Sequence, residues 1–195
     1  MGARALIITY TNSNLRNIRE RVVEKFNHYP ANITVINYPD FLYHCCYKPF
    51  LSYSVRAKGI NWEPNVNRFA KDDARYIDNF KRLYGNRIAK FLEEKNVLDK
   101  IRQRLAKYFD LLYIDEIQDF GGHDFNLLKH LSTANVRLLF VGDFYQHTFD
   151  TSRDGNVNGT LHSNYNKYIA QFEAMGVYYG DVDHPVPGQI DHWVS

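Results

Sequence analysis

The apolar positions along the chain follow two different periods. Ala5-Leu6-Ile7-Ile8-Thr9-Tyr10 is a nearly continuous apolar run, as expected of a strand covered on both faces. It gives way to Thr11-Asn12-Ser13-Asn14, a cluster of residues that favour helix N-caps. Leu15, Ile18, Val22, Val23 and Phe26 then recur at helical spacing, with Arg16, Arg19, Arg21 and Lys25 among them. This predicts an amphipathic helix with a basic outer face, stopped at Tyr29-Pro30. Ile33-Thr34-Val35-Ile36 reads as a second buried strand, and strand, helix, strand in that order predicts a parallel βαβ unit.

The aromatic stretch 39–50 predicts a helix closing at Pro49, and 51–68, with Gly59 and Pro64, a loop. Two helices are expected near 69–84 and 86–107, the second with Ile88, Phe91, Leu92, Leu98, Ile101 and Leu105 on one side. A third strand is expected at 111–114, a short helix around Phe125, Leu128 and Leu131, a fourth strand at 137–141 and a helix at 163–175. Gly180, Pro185, Pro187 and Gly188 mark an irregular tail. The pattern is α/β, a parallel sheet flanked by helices. It divides into a first part of the core (1–50), a basic helical insertion (51–107), a second part of the core (108–162), and a helix with a tail (163–195).

Composition narrows the class. With 195 residues, 45% hydrophobic and 24% charged, the chain has the balance of a packed protein rather than a disordered one. No apolar run approaches the ~20 residues that span a bilayer, so no membrane partner is expected. Met1-Gly2-Ala3-Arg4 leads into a strand rather than a signal peptide. The two cysteines, Cys45 and Cys46, are adjacent and pair badly, which fits a reduced, cytoplasmic chain. The net charge of +2 hides a division: residues 1–107 carry 20 Lys/Arg against 10 Asp/Glu, and residues 108–195 carry 4 against 12. A basic half points to a polyanion, and an acidic half can hold a divalent cation.

The acidic half places its charges at strand ends. Leu111-Leu112-Tyr113-Ile114 runs into Asp115-Glu116, and Leu138-Leu139-Phe140-Val141 into Gly142-Asp143, with Gln146 three residues on. Ligands of open parallel sheets bind beyond the carboxyl ends of strands. There Asp115 is suited to hold Mg²⁺, and Glu116 to orient or deprotonate a water. The Gln146 amide both donates and accepts, so it can contact a phosphate and a water together.

Asp115-Glu116-Ile117-Gln118-Asp119 resembles motif II, the Walker B element, of UvrD/Rep-like superfamily 1 DNA helicases, and Gly142-Asp143-Phe144-Tyr145-Gln146 resembles their motif III. Thr9-Tyr10-Thr11-Asn12 is similar to motif Ia, and Tyr38-Pro39-Asp40-Phe41 more loosely to motif Ib. The resemblance spans about residues 4–153 and implies a RecA-like core of the P-loop NTPase type. It implies that Asp115 binds Mg²⁺, that Glu116 activates the hydrolytic water, and that Gln146, with Asp143 beside it, senses the γ-phosphate of ATP. It further implies that Thr11, Asn12 and Tyr38 meet single-stranded DNA and that Phe149 stacks on a base. The family's tryptophan and arginine after that aromatic fall here on Thr151 and Ser152, with Arg153 one step further as the nearest arginine.

One departure decides the expected activity. The sequence holds no Gly-x-x-x-x-Gly-Lys-Ser/Thr, the loop whose N–H groups and lysine cradle phosphates. It also lacks the second RecA-like domain with its arginine finger. The expectation is a partial ATP-dependent helicase or translocase domain with an incomplete Mg-ATP site, inactive alone: a truncated product, or a piece completed by a second chain that supplies the P-loop. Two other readings stand beside it, a non-enzymatic nucleic-acid-binding or regulatory module and a Mg²⁺-dependent phosphoesterase built on Asp115, Glu116, Asp119 and Asp143. The eight histidines show no paired ligand spacing and Cys45-Cys46 has no C-x-x-C partner, which argues against zinc.

Overall fold

The computed structural model describes residues 2–67, 69–146 and 157–175, and the chain forms two compact units, 1–159 and 160–195. In the first unit, β1 (Ala5–Thr9), β2 (Ile33–Asn37), β5 (Leu111–Ile114) and β6 (Arg137–Phe140) form one sheet in the order β2-β1-β5-β6. Every pair in it is parallel: Ala5 lies opposite Ile33 and Leu111, and Ile114 opposite Ile8 and Phe140. The apolar runs become strands because helices cover them. Leu6, Ile8, Val35, Leu112 and Ile114 are buried, each contributing about 1.5–3 kcal/mol of burial. Among the described residues β6 is a sheet edge, and Leu139 keeps 46% of its surface exposed.

Helix α1 (Asn12–Phe26) joins β1 to β2. Thr11 caps it by accepting from the Asn14 N–H, and Asn27 closes it in the left-handed region at φ 56°. Arg19 reaches across to donate to the Val35 carbonyl at 2.7 Å. At the other end of the sheet Arg4 clasps Asp110 with Nη2 and Nε, at 2.8 and 3.1 Å, tying the start of β1 to the start of β5.

Where the expected helices differ, local hydrogen bonding explains it. Residues 38–55 form one continuous helical segment, α2 (Tyr38–Asp40), a wide π stretch (Phe41–Tyr47) and α3 (Lys48–Val55). Pro49 does not close it, because it falls at the first turn after the π stretch, where a missing N–H costs little. The helix expected over 69–84 is absent. Asp78 accepts from the N–H groups of Phe80 and Arg82, a turn that outcompetes the helix. In its place stand a 3-10 turn (Asp72–Arg75) and a short strand, β4 (Leu83–Tyr84), which pairs in parallel with β3 (Ile60–Asn61) from the segment expected to be a loop. The helix expected over 86–107 is broken into α4 (Ile88–Glu94) and α5 (Leu98–Tyr108), with Asn96 at φ 53° between them. Asn tolerates that conformation well.

Helix α6 (Gly122–Ser132) lies between β5 and β6 in sequence and buries Phe125, Leu127, Leu128 and Leu131. The second unit contains α7 (Tyr165–Ala174), capped by Asn164, with Tyr168 and Phe172 buried. Among the described residues no helix is long and apolar enough to cross a membrane.

Candidate functional site

The strand order sets the carboxyl ends of β1 and β5 side by side. The Asp115 N–H donates to the Ile8 carbonyl at 2.9 Å, so the ladder runs one residue past β5 and holds Asp115 on the sheet. Thr9, fully buried at the end of β1, donates its hydroxyl to Asp115 Oδ2 at 3.3 Å. The chain then leaves the sheet through Glu116, which adopts φ 57°, ψ 43°. For a residue with a side chain that left-handed conformation costs about 1–2 kcal/mol.

Both oxygens of the Glu116 carboxylate are held. Asn14, in the first turn of α1, donates Nδ2 to Oε1 at 3.1 Å, and Gln118 donates Nε2 to Oε2 at 2.6 Å. Gln118 is 2% exposed, and its Oε1 accepts the Asp143 N–H at 3.1 Å. Gly142 makes that contact possible: a Cβ there would run into Gln118 Oε1 and come within 2.9 Å of Ile117 Cγ1. Asp143 in turn accepts from the Tyr145 N–H at 2.9 Å and shapes the turn Phe144–Gln146. One network therefore runs from α1 through Glu116 and Gln118 to the end of β6.

The electrostatics follow from burial. Desolvation of the half-buried Asp115 raises its pKa, the adjacent Glu116 raises it further, and the Thr9 hydroxyl opposes both. Tyr113 is pushed up to about 12 by burial and then by Asp115 and Glu116. A cleft of about 190 Å³, lined by Asn14, Asn17, Ile18, Arg21 and Asp115, opens between α1 and the end of β5. Arg21 brings a cation to the same cleft as the Asp115 carboxylate.

The residues expected from sequence divide into those gathered here and those placed elsewhere. Asp115, Glu116 and Asp143 belong to the one network. Thr11 spends its hydroxyl on the α1 cap, and Asn12 accepts from Asn37 Nδ2 at 3.0 Å, bridging the ends of β1 and β2. Tyr38, expected at the nucleic acid, is 4% exposed. Its hydroxyl donates to Asp124 at 2.8 Å and its ring meets Phe120 at 4.6 Å, so it offers a strand no surface; the apolar neighbours Tyr10, Phe41 and Phe120 draw it into the core. Gln146 ends the Phe144–Gln146 turn. Phe149 and Arg153 lie outside the described residues. Sequence reasoning placed Thr9 and Gln118 inside motif matches and Asn14 in the cap cluster, but named none of them as a site residue. The signal for Asn14 was its place in the cap cluster, one turn from the strand end.

Asp115, with Thr9 behind it, presents hard oxygen donors to the cleft, but among the described residues no group of three or more His, Cys, Asp or Glu gathers round one point. That donor set fits a Mg²⁺ held by one carboxylate, waters and phosphate oxygens, and does not fit an all-protein cage. No protein-family model and no curated protein matches the chain.

Proposed function

We propose that the chain is the core of a RecA-like domain related to UvrD/Rep helicases, which handles single-stranded DNA and carries part of a Mg-ATP site. One observation carries the reading. Three segments far apart in sequence, Thr9–Asn14, Asp115–Gln118 and Gly142–Asp143, meet in a single hydrogen-bonded network at the carboxyl ends of parallel strands. Asp115 would hold Mg²⁺, and bound there the ion would neutralise phosphate charge. Thr9 orients the Asp115 carboxylate, while Asn14 and Gln118 fix Glu116 as the group that takes a proton from a water. Gly142 lets Gln118 reach the Asp143 backbone, so the end of β6 answers to what occupies Glu116.

Phosphate cradling has no provider in this sequence, so turnover depends on a loop from elsewhere. The open edge of β6, with Leu139 and Val141 exposed beside the acidic strand ends, is one of the two edges of this sheet among the described residues, with β2, where a further strand can add. A second reading, a DNA-binding module without catalysis, is favoured by one fact: Asn14 and Gln118 already fill both oxygens of Glu116, leaving a water to displace one of them.

Equilibrium binding of a labelled oligo(dT) tests the shared part of both readings. Affinity is expected to fall steeply from ~50 to ~200 mM salt, as phosphate contacts release counterions, and to weaken in Asn12→Ala. No binding at low salt, or binding indifferent to salt, contradicts it.

A further inference from the structure

Six large apolar side chains among the described residues are more than two-thirds exposed, and five of them, Tyr53, Trp62, Val66, Phe69 and Phe80, lie between residues 53 and 80. Four of the five are aromatic. They sit in a segment, 51–107, that carries 14 Lys/Arg against 7 Asp/Glu. Flat apolar rings held out in water among cations are the two components of a single-strand binding surface: bases stack on the rings while the cations follow the backbone.

Two of the rings are fixed rather than loose. Phe80, 79% exposed, stands at the tip of a turn closed by Asp78, whose carboxylate accepts from the N–H groups of Phe80 and Arg82, at 2.9 and 2.8 Å, and from Asn61 Nδ2 at 3.0 Å. The Arg82 guanidinium is held by Asp78 at 2.8 Å and lies 5.3 Å from the Phe80 ring centroid. Lys81 follows Phe80 at φ 61°, and its carbonyl accepts the Lys58 N–H at 2.6 Å, which brings the two lysines to one place. Both are exposed, and neither has an ion pair among the described residues. Trp62, just past β3, rests against Gly85, where a Cβ would approach Trp62 Cε3 to 3.3 Å. Gly85 thereby gives the indole a flat seat.

We propose that Trp62 and Phe80, with Lys58, Lys81 and Arg82, form a stacking surface for single-stranded DNA, separate from the strand-end network. The choice of partner rests on charge and on ring chemistry. The aromatics are interleaved with cations, and residues 51–107 carry twice as many Lys/Arg as Asp/Glu, 14 against 7, a balance that suits a polyanion. Rings set singly at a turn tip and a strand end suit unstacked bases, not a closed duplex. Because the rings are held before any strand arrives, little ordering entropy opposes binding. The inference rests on the reading of this protein as one that handles DNA.

The test uses the full chain and labelled dT20, with circular dichroism to establish that each variant is folded. Trp62→Ala and Phe80→Ala are each expected to weaken binding about fivefold to 150-fold, the range for loss of one base-stacking ring. Lys58→Ala with Lys81→Ala is expected to lower the salt slope by about 1.4, at ~0.7 per phosphate contact on a single strand. Tryptophan fluorescence is expected to be quenched by dT20 in the parent and less so in Trp62→Phe. If the parent binds but the folded ring variants bind equally well, the inference is wrong and the function reading stands. If the parent does not bind dT20 at all, both fail. Ring variants that keep DNA affinity but abolish self-association seen by sedimentation also overturn the proposal, in favour of a protein-binding patch.

Discussion

Gln118 donates its side-chain amide to Glu116 at 2.6 Å and, through the other end of the same amide, accepts the backbone N–H of Asp143. A buried glutamine thus couples the acidic end of β5 to the turn after β6. Its removal leaves the Asp143 N–H without that acceptor and Glu116 with one donor fewer. Gln118→Ala is expected to destabilise the fold by about 1–3 kcal/mol. Urea unfolding of the two proteins checks it, and a change below about 0.5 kcal/mol would mean the amide is not a structural link.

Gly142→Ala probes the same contact from the other side. The added Cβ runs into Gln118 Oε1, so a cost of about 1–3 kcal/mol is expected. With Gln118 already truncated to Ala the tightest clash is gone and only the contact with Ile117, at 2.9 Å, remains, so Gly142→Ala should cost less. A double-mutant cycle measures the difference, expected at about 0.5 kcal/mol or more. Strict additivity would show that the close approach does not matter.

The sheet was legible because each of its strands is a short apolar run and the alternation with helices allowed only a parallel arrangement. Asp115 and Asp143 were legible for the same reason, since one directly follows such a run and the other stands one glycine beyond. What escaped was set by tertiary contacts. Tyr38 reads as an exposed motif residue until Phe120 and Asp124, more than eighty positions away, enclose it. The break at Asn96 is hidden by an apolar period that continues through it. The turn at Asp78 is hidden because a carboxylate that caps a turn and one that decorates a helix look alike in sequence. Gln118 carried no signal of its own, its role being fixed by a glycine just past the end of another strand.

Acid sensitivity follows from the Arg4 clasp. Hydrogen bonds from Arg4 hold the Asp110 carboxyl at about 2, below its ordinary 3.8. Its folded-state pKa is depressed, so its contribution is fully present above about pH 4 and is lost as the pH falls toward 2. Asp110→Asn is therefore expected to flatten the loss of stability over that window and to leave the profile from pH 5 to 7 parallel to the parent's. Parallel profiles across the acid window would contradict the clasp.

Steady-state hydrolysis is expected at background for the chain alone, because phosphoryl transfer depends on positioning and charge neutralisation that a phosphate loop and an arginine finger supply. Turnover above ~0.1 s⁻¹ that vanishes in Glu116→Gln would overturn this.

The central claim, that the end of β5 is a cation site, is tested most directly by thermal scans of the parent and Asp115→Asn with and without Mn²⁺. The folded-state pKa of Asp115 is raised, so its ionised form opposes folding at neutral pH, and this penalty fades as the pH falls through the folded-state pKa. Asp115→Asn should accordingly be at least as stable as the parent at pH 7, with the advantage shrinking in acid. Mn²⁺ binding to the folded form should raise the parent's Tm by mass action and raise the variant's distinctly less. An equal rise in both proteins, or none in either, would contradict the claim.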